Sequence, residues 1–388
     1  MFGISLCIVL SILPYSTSYD IVRSYSGSTF FDRWDFYGSW DNLTLGDVWW
    51  LDRTSAFQQN LAYIDENNRA VIKVDNVSNV PYNEKRNTIR ITSQDSYGVG
   101  SLWIIDLTHL PYGCSVWPAF WTKGPTWPDN GEIDIIEGVN LMGANQYALH
   151  TLPGCSQPPG VVQTGVSGAT DCSQPSGCIV SETSPNSFNE GFAAAGGGVW
   201  ATQFDVAGIF IWFWTRANLP PSILQANSTS SIDISEWGPP SASYPATTCN
   251  ISQYFTAQQL VIDITLCGVW AGLPQVYNPQ CLNSGPTGLC YNDNVVGPGS
   301  PKYDNAYFEI NYVRAYTTGV PGPTPSASAV WIYPNGSSKP VTLPAPTGVF
   351  SGPTSTIDTS PNATGRSMDF DGRLMSLVGF ALLGITLI

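Results

Sequence analysis

The strongest constraint on the fold is a series of short apolar or alternating runs between residues 20 and 316. Gly, Pro, Asn, Asp and Ser separate these runs, and no stretch keeps the 3.6-residue period of an amphipathic helix. Many short strands with turn-rich connections predict an all-β domain, either a two-sheet antiparallel β-sandwich or a barrel. The runs cover residues 71–74, 87–92, 101–107, 131–138, 146–151, 206–215, 260–266 and 307–316.

The segment 209–214, Ile-Phe-Ile-Trp-Phe-Trp, is apolar on both of the faces that a strand presents. It is much shorter than the ~20 residues that a helix needs to cross a bilayer. We therefore expect a central strand that is buried between one sheet and the other.

The chain is acidic and carries few charges: the formal net charge is −14, and only 11% of its residues are charged. Phosphate backbones and anionic membranes repel a surface of this sign, so we expect neither nucleic acid nor an anionic membrane surface as a partner. Some of the 14 Trp, 18 Tyr and 16 Phe residues belong to a core, but such rings also pack on the flat faces of sugars. Charge and aromatic content together leave a neutral polymer open as a partner.

Residues 1–18 predict a signal peptide, because an apolar stretch at 3–13 is followed by Pro14 and small residues. Eight cysteines remain once Cys7 is removed with this peptide. An even number in a secreted chain predicts up to four disulfides, whose pairing the sequence leaves open. No CxxC pair or His-rich cluster indicates a metal site, so we expect neither a metal nor another cofactor.

The composition changes after Tyr316. Residues 317–364 are rich in Pro, Ser, Thr and Gly, which predicts a disordered, O-glycosylated spacer. Residues 365–388 combine a polar stretch with an uncharged tail, directly after the small-residue site 362–364. This order predicts a GPI-attachment propeptide; a short tail-anchor helix and a tail without function are the alternatives. We therefore expect one folded domain at 19–316 in a secreted protein that is GPI-anchored at the cell surface or in the cell wall.

Three carboxylates lie within six residues of an otherwise apolar run, Glu132-Ile-Asp134-Ile-Ile-Glu137. Residues two apart in a regular strand share a face, so Glu132 and Asp134 point the same way and Glu137 does not. One extra residue between Asp134 and Glu137, a β-bulge, would bring all three carboxylates to one face. The opposite side, toward the core, would then hold Ile133 and one or both of Ile135 and Ile136.

The spacing predicts a reaction type. Four rises of about 3.3 Å separate the two glutamate backbones by ~13 Å, and each side chain reaches roughly 4 Å inward over a concave sheet. The carboxyls are then about 5 Å apart, as in a retaining glycosidase, whereas an inverting enzyme needs ~6.5–9.5 Å. The estimate favours retention and leaves inversion open. One glutamate would attack and the other would serve as acid and base. Asp134 would hydrogen-bond the nucleophile and help to keep the acid protonated, since close carboxylates raise one another's pKa.

Two other interpretations of the three acids stand beside this one. They could bind Ca²⁺, which takes carboxylate oxygens, or they could form a solvated strand face. Trp117, Trp121 and Trp127 flank the run, and large rings beside an ordinary polar surface disfavour the solvated face. Aromatic rings next to carboxylates are what a sugar cleft requires.

The acidic run resembles the E-[IV]-D-x-x-E signature of glycoside hydrolase family 16 in its bulged, laminarinase-like form. The resemblance covers about residues 20–316 and is to the fungal endo-1,3(4)-β-glucanase branch. Further matching segments follow in the same order, at 117–121, 131, 138–140, 149–151, 267–272 and 306–316.

This resemblance implies a concanavalin-like β-jelly roll with a substrate cleft on the concave sheet. It also implies that Glu132 is the nucleophile, Glu137 the acid/base and Asp134 the assisting acid. His150 could orient Glu137 or a sugar hydroxyl. The substrate-binding positions of the family match Trp121, Trp127, Trp270, His150 and Arg90.

The implied function is retaining endo-hydrolysis of β-1,3-glucan or mixed β-1,3/1,4-glucan in cell-wall remodelling, by a monomer. One alternative is a cell-surface transglycosylase, although relatives that cross-link wall polymers usually carry the unbulged E-x-D-x-E pattern. Another is a glucan-binding lectin, which the intact carboxylates disfavour because binding needs no proton donor. Two long loops, 154–188 and 274–301, are expected to frame the cleft ends and set specificity for the polymer.

Overall fold

The apolar runs of the sequence form strands of two large antiparallel sheets. The computed structural model describes residues 18–318 and three further short strands, Thr324–Pro325, Val330–Ile332 and Ser338–Pro340. All of these residues lie in one of the two units into which the chain divides, Met1–Val341.

The predicted ends of the chain fall almost wholly outside the described residues. They are the signal peptide at 1–18, of which only Ser18 is described, the propeptide at 365–388 and most of the spacer at 317–364. Among the described residues, no helix is both long enough and apolar enough to cross a bilayer.

The strands are short and are joined by turns, as the sequence predicts. In chain order they are β1 (Ser18–Ser26), β2 (Trp34–Phe36), β3 (Val48–Trp50), β4 (Ala62–Ile64), β5 (Ala70–Lys73), β6 (Asn79–Val80), β7 (Arg86–Thr88), β8 (Arg90–Tyr97), β9 (Ser101–His109), β10 (Val116–Lys123), β11 (Glu132–Glu137), β12 (Gln146–His150), β13 (Val166–Ser167), β14 (Cys178–Ser181), β15 (Gly198–Asp205), β16 (Gly208–Thr215), β17 (Ile232–Asp233), β18 (Ala242–Pro245), β19 (Gln258–Leu266), β20 (Gly297–Pro298), β21 (Tyr307–Thr317), β22 (Thr324–Pro325), β23 (Val330–Ile332) and β24 (Ser338–Pro340).

Helices occur only as short connections. The α-helices are α1 (Arg53–Gln58), α2 (Asn189–Ala194), α3 (Pro221–Gln225), α4 (Ile251–Tyr254), α5 (Gly268–Ala271) and α6 (Pro274–Cys281). Turns of 3-10 helix lie at Gly27–Arg33, Arg216–Asn218 and Leu282–Ser284, and one π-helical turn lies at Tyr291–Val295.

Two sheets of nine strands each form a sandwich. The outer sheet has the order β17-β1-β21-β9-β15-β16-β18, with β5 paired to β21 and β4 to β5. The second sheet, which we call the cleft sheet, has the order β13-β14-β12-β11-β10-β19-β8-β2, with β22 paired to β8. Three minor pairs complete the topology: β3–β7, β6–β20 and β23–β24. The predicted all-β, two-sheet antiparallel sandwich is confirmed.

The inner faces of the two sheets enclose the main hydrophobic core. The outer sheet contributes Trp103 and Phe204, whose rings stack 5.6 Å apart, and the cleft sheet contributes Phe120, Ile133 and Ile262. Because side chains alternate along a strand, the neighbours of these cleft-sheet residues point away from the core. That opposite face, the cleft face, carries Trp121, Asp134 and Asp263.

The expectation for the apolar segment 209–214 is wrong in its location. Its strand, β16, is next to the edge of the outer sheet and is not central. One face of β16 meets the core, but the other is covered by a loop segment and not by a second sheet. There Trp212 and Trp214 pack on Trp237, with ring centroids 5.3 and 5.0 Å away. A strand thus becomes apolar on both faces wherever any chain segment covers its outer side.

The described residues contain four disulfides, which pair all eight cysteines that follow the predicted signal peptide. They are Cys114–Cys281, Cys155–Cys249, Cys172–Cys178 and Cys267–Cys290. Both long loops that the sequence predicts are therefore cross-linked, either internally or to the sandwich.

Candidate active site

The strand that carries the three carboxylates, β11, lies within the cleft sheet between β10 and β12. Its register against β10 shifts between Asp134 and Ile136, so Ile135 is an extra residue in the strand. Against β12 the register shifts between Asp134 and Glu137. Ile133, Ile135 and Ile136 are all buried in the core. The predicted β-bulge is confirmed, with both residues of the Ile pair on the core side.

The side chain of Asn145 holds this bulge. Its Oδ1 accepts a hydrogen bond from the Glu137 amide at 3.0 Å, and its Nδ2 donates to the Ile135 carbonyl at 3.0 Å. A bulge removes such groups from the ladder, and buried backbone groups need another partner. Asn145 is itself buried and supplies both bonds. Sequence reasoning missed it; the available signal was a polar residue directly before the strand 146–150.

Glu132, Asp134 and Glu137 lie together on the cleft face. Asp134 is 3% exposed, whereas the two glutamates are partly exposed. Oε2 of Glu132 and Oδ2 of Asp134 are buried without a hydrogen-bond partner. Glu137 accepts a hydrogen bond from Nε1 of Trp117 at 3.0 Å. Two buried oxygens without a donor are places where a proton or a ligand hydroxyl is required.

Burial is the largest cause of a raised pKa at all three carboxyls. Burial, and then the Asp134 carboxylate, raise the pKa of Glu132 well above its ordinary range. Burial raises the pKa of Asp134 to about 7, although a hydrogen bond with Glu132 acts in the other direction. Burial and Asp134 raise the pKa of Glu137 to about 8, against the effect of the Trp117 bond. Three negative charges repel one another strongly here, so the cluster holds at least one proton at neutral pH.

At the Glu137 end of the cluster, two indoles meet. Trp117 donates to Glu137, and the ring of Trp270 lies edge-on to Trp117 with centroids 5.4 Å apart. Val276 of the predicted 274–301 loop packs on the same pair. Trp270 therefore lies next to the carboxyl cluster, separated from Glu137 by the Trp117 ring.

The Glu132 end is formed by β12 and two loops. His150 is the register partner of Glu132, and its Nε2 lies 3.4 Å from Oδ2 of Asp134. Trp127, which is 53% exposed, has its ring 6.5 Å from the His150 ring. A side-chain carbon at Gly177 would stand only 2.9 Å from Nε2 of His150, so a glycine of the 154–188 loop leaves room for the imidazole. The structure thus places His150 beside Asp134 and Glu132. The sequence had left open whether its imidazole meets Glu137 or a sugar hydroxyl.

Between the two ends lies a cluster built on Trp121, which is 5% exposed and is the register partner of Asp134. Its Nε1 donates to Oδ2 of Asp263 at 3.1 Å. The guanidinium of Arg90 lies 5.3 Å from its ring centroid and 4.8 Å from that of Tyr37. The structure brings Arg90 and Trp121 together and adds a fourth carboxyl, Asp263, that sequence reasoning missed.

Among the described residues, Glu132, Asp134 and His150 have the spacing needed to bind a cation together. Their potential ligand atoms lie within 4.8 Å of one another. Two carboxylates and a ring nitrogen are not the all-oxygen set that Ca²⁺ prefers. The calcium interpretation of the three acids is therefore disfavoured at this place.

A two-sheet sandwich with a proton-holding cluster of carboxyls on one face, between indole rings at either end, is the arrangement expected of a glycosidase. The chain belongs to glycoside hydrolase family 16: the family model of XgeA-like catalytic domains of that family matches residues 34–316.

Curated relatives agree with this assignment. A probable glycosidase of Schizosaccharomyces pombe is 38% identical over 306 residues, which are 77% of this chain and 69% of that protein. A probable endo-1,3(4)-β-glucanase of Aspergillus fumigatus is 36% identical over 312 residues, which are 79% of this chain and 46% of that protein. The chain therefore spans about half the length of the Aspergillus relative.

Solved structures show the same fold. Laminarinase 16A of Phanerochaete chrysosporium, solved with two β-glucans in its donor and acceptor sites, has a TM-score of 0.72 and 32% identity. An elongating family 16 β-1,3-glucosyltransferase has a TM-score of 0.71 and 36% identity. Each match covers 77% of this chain and all of the solved chain. The chain is a glycoside hydrolase with the family's jelly-roll architecture.

Proposed function

We propose that this chain is a retaining endo-β-glucanase that hydrolyses β-1,3-glucan and mixed β-1,3/1,4-glucan. The observation that carries the proposal is the bulge at Ile135, which puts Glu132 and Glu137 on one face with Asp134 between them. The name of the Aspergillus relative and the glucans bound to the Phanerochaete laminarinase support the substrate class.

In the first step, the Glu132 carboxylate attacks the anomeric carbon, and the bond from that carbon to the leaving oxygen breaks. Glu137, whose pKa of about 8 keeps it protonated at neutral pH, transfers its proton to the leaving oxygen. In the free enzyme the hydrogen bond between these two carboxyls raises the pKa of Glu132 and lowers that of Asp134, so the proton they share lies on Glu132. This proton must move to Asp134 before the Glu132 carboxylate can attack.

In the second step, the Glu137 carboxylate takes a proton from a water molecule, whose oxygen attacks the anomeric carbon and releases Glu132. Two inversions at that carbon give net retention. The indole N–H of Trp117 bonds Oε1 of Glu137 and stabilises its charged form in the interval between the steps. Glu137 can therefore alternate between acid and base.

Rings at both ends of the carboxyl cluster favour cleavage within a chain over cleavage at its end. Trp127 lies beyond Glu132, and Trp270 lies beyond Glu137. A sugar unit can stack on each ring, so glucose units on both sides of the scissile bond are held. His150 and Arg90 offer donors between these rings.

The polymer test compares the secreted protein with its Glu132→Gln variant on laminarin, mixed-linkage glucan and chitin oligomers. We expect oligosaccharides and new reducing ends from the first two substrates and at least a 10³-fold loss of rate in the variant. Wild-type protein that binds these polymers and changes none of them would leave only the lectin alternative.

The two roles are separated by azide rescue with an aryl β-glucoside oligomer that has a good leaving group. Glu137→Gln still forms the glycosyl-enzyme, so azide should capture it as the β-glycosyl azide. Glu132→Ala has no nucleophile and leaves space in its place, so azide should attack the anomeric carbon directly and give the α-anomer. The opposite pattern of anomers would exchange the two assignments.

A second candidate is transfer of the glycosyl unit to a sugar hydroxyl, favoured by the likeness to the elongating β-1,3-glucosyltransferase. The chemistry of the first step is the same, and the acceptor replaces water in the second. Products longer than the donor, with little gain in reducing ends, would identify this activity.

We further propose that the protein is a secreted, GPI-anchored monomer that remodels cell-wall glucan. Its segments would be a signal peptide at 1–18, a catalytic domain at 19–316, a spacer at 317–364 and a GPI-attachment propeptide at 365–388. Four disulfides support an oxidising compartment. The full chain expressed in a fungal host should leave the membrane fraction on treatment with a phosphatidylinositol-specific phospholipase. A chain that resists release, or that is secreted with 365–388 intact, would contradict the anchor.

A further inference from the structure

The cleft face contains a buried carboxyl that lies outside the acidic signature. Asp263, on β19, is 6% exposed. It is the register partner of Ala119 on β10, and Ala119 is the register partner of Glu137 on β11. On the other side, Asp263 pairs with Arg90 of β8. A row across four strands therefore reads Glu137, Ala119, Asp263 and Arg90, and only a methyl group stands between the two acids.

Asp263 also holds a ring of the cleft. Its Oδ2 accepts the hydrogen bond of Trp121 Nε1 at 3.1 Å. The other side of the Trp121 ring faces the guanidinium of Arg90, whose carbon is 5.3 Å from the centroid. An indole held by an acceptor and a cation has one orientation, and this indole lies next to Asp134 in register.

We propose that Asp263 is a positioning residue of the reaction: it fixes the Trp121 indole, and its negative charge favours the protonated form of Glu137. This inference rests on the proposed function, in which Glu137 is the acid. Asp263 touches neither reacting glutamate and acts through Trp121 and through space.

The charges around Glu137 define how large this effect can be. The acids are Glu132 and Asp134 on its own strand and Asp41 beyond Asp263. The groups that are or can become positive are His150 on β12, Lys123 on β10 and Arg90 on β8. Arg90 faces Asp263 and offsets part of its charge.

Burial raises the pKa of Asp263 to about 6, and Arg90 acts in the opposite direction. Asp263 is therefore charged over the range in which Glu137, with a pKa of about 8, loses its proton. Two strand spacings of about 4.8 Å put the two backbones ~10 Å apart. At that distance and an effective dielectric constant of about 20, one charge alters a neighbour's pKa by roughly 1 at most, and by a few tenths in wetter surroundings.

The test is the pH profile of kcat/KM on laminarin for Asp263→Asn. The amide keeps an acceptor for Trp121 and removes only the charge. We expect the alkaline limb to move to lower pH by about 0.3 to 1. The matched control is Glu236→Gln, which removes an exposed acid from the outer surface and should leave the limb in place. An active, folded Asp263→Asn protein with an unmoved limb would overturn the role of the charge.

Two further variants separate the parts of the proposal. Asp263→Glu retains the charge, so the alkaline limb of its kcat/KM profile should match that of the wild type. This variant tests the inference even if Asp263→Asn does not fold, and a shifted alkaline limb would count against it. Trp121→Phe loses the hydrogen bond, so its KM for laminarin should rise several-fold. An unchanged KM would remove the positioning role of Trp121.

Failure of the proposed function is recognised separately, as a wild-type protein without turnover of any glucan. In that case the ¹³C NMR titration of the Glu137 carboxyl, assigned with Glu137→Gln, tests the same inference without turnover. The midpoint should fall in Asp263→Asn, and equal midpoints would refute it.

Discussion

The Asn145 side chain offers a direct test of how the fold holds the β-bulge that positions Glu137. Asn145→Ala removes one acceptor from the part-buried Glu137 amide and one donor from the buried Ile135 carbonyl, both now bonded at 3.0 Å. Each backbone group left without a partner costs about 1–3 kcal/mol, so the free energy of unfolding should fall by roughly 2–6 kcal/mol.

The same change should reduce catalysis, because the bulge sets the position of Glu137. A misplacement of about 1 Å in a reacting group can cost ~10²-fold in rate, so we expect kcat on laminarin to fall by about that factor. Urea unfolding measures the first effect, as a lower midpoint with an unchanged slope, and reducing-end assays measure the second.

Two controls frame this prediction. Asn218→Ala makes the same change at an exposed position of the outer surface and should cost less than about 0.5 kcal/mol with unchanged kcat. Ser187→Ala removes the acceptor for the Asn145 amide, at 3.1 Å, and should cost about 1 kcal/mol while the bulge persists. If Asn145→Ala unfolds at the wild-type urea concentration and keeps its kcat, strand packing alone holds the bulge and the reasoning is wrong.

Three other predictions concern stability and geometry. Burial lowers the pKa of His109 from 6.5 to about 4, so the unfolded chain takes up this proton first as the pH falls. His109 contributes about 3 kcal/mol to the free energy of unfolding above pH 6.5, and this contribution is lost as the pH falls from 6.5 to 4. His109→Gln should therefore flatten the plot of urea midpoint against pH over that range. An unaltered plot would show that His109 is not the group responsible. Gly177→Ala should lower both the melting temperature and kcat/KM, because the φ of Gly177 is +67° and the added methyl carbon would crowd the His150 imidazole. Wild-type values of both quantities would show that this glycine is not needed to make room for His150. Replacing Cys114 and Cys281 by serine opens a loop of 167 residues and should cost up to about 5 kcal/mol in urea unfolding, whereas a loss below 1 would mean that the loop is held by packing.

The local sequence was sufficient for the arrangement of β11. Side chains alternate with a period of two, so Glu132, Asp134 and Glu137 can share a face only if the strand contains a bulge. The sequence left open whether one or both of Ile135 and Ile136 are then buried, and the structure buries both. The upper limit of four disulfides and the all-β class likewise followed from counts and patterns along the chain, whereas the choice of a sandwich over a barrel came from the family resemblance.

The partners of those carboxylates came only from the tertiary structure. Asp263 reaches the site because β19 pairs with β10, and Asn145 reaches the bulge because β12 follows it on the other side. Strand order and register are set by how two whole sheets bury their inner faces, and a single segment does not encode that choice.

The same reason explains the apolar run of β16 and the pairing of the cysteines. The run shows that both faces of the strand are covered, but a loop carrying Trp237 and a second sheet leave the same pattern of hydrophobic residues. Eight cysteines allow many pairings, and Cys114 meets Cys281 only after the sandwich has brought their loops together. The sequence by itself determined which carboxylates of β11 can share a face, since that depends on neighbours along the chain. The tertiary structure decided what lies opposite them, since that depends on the packing of distant segments.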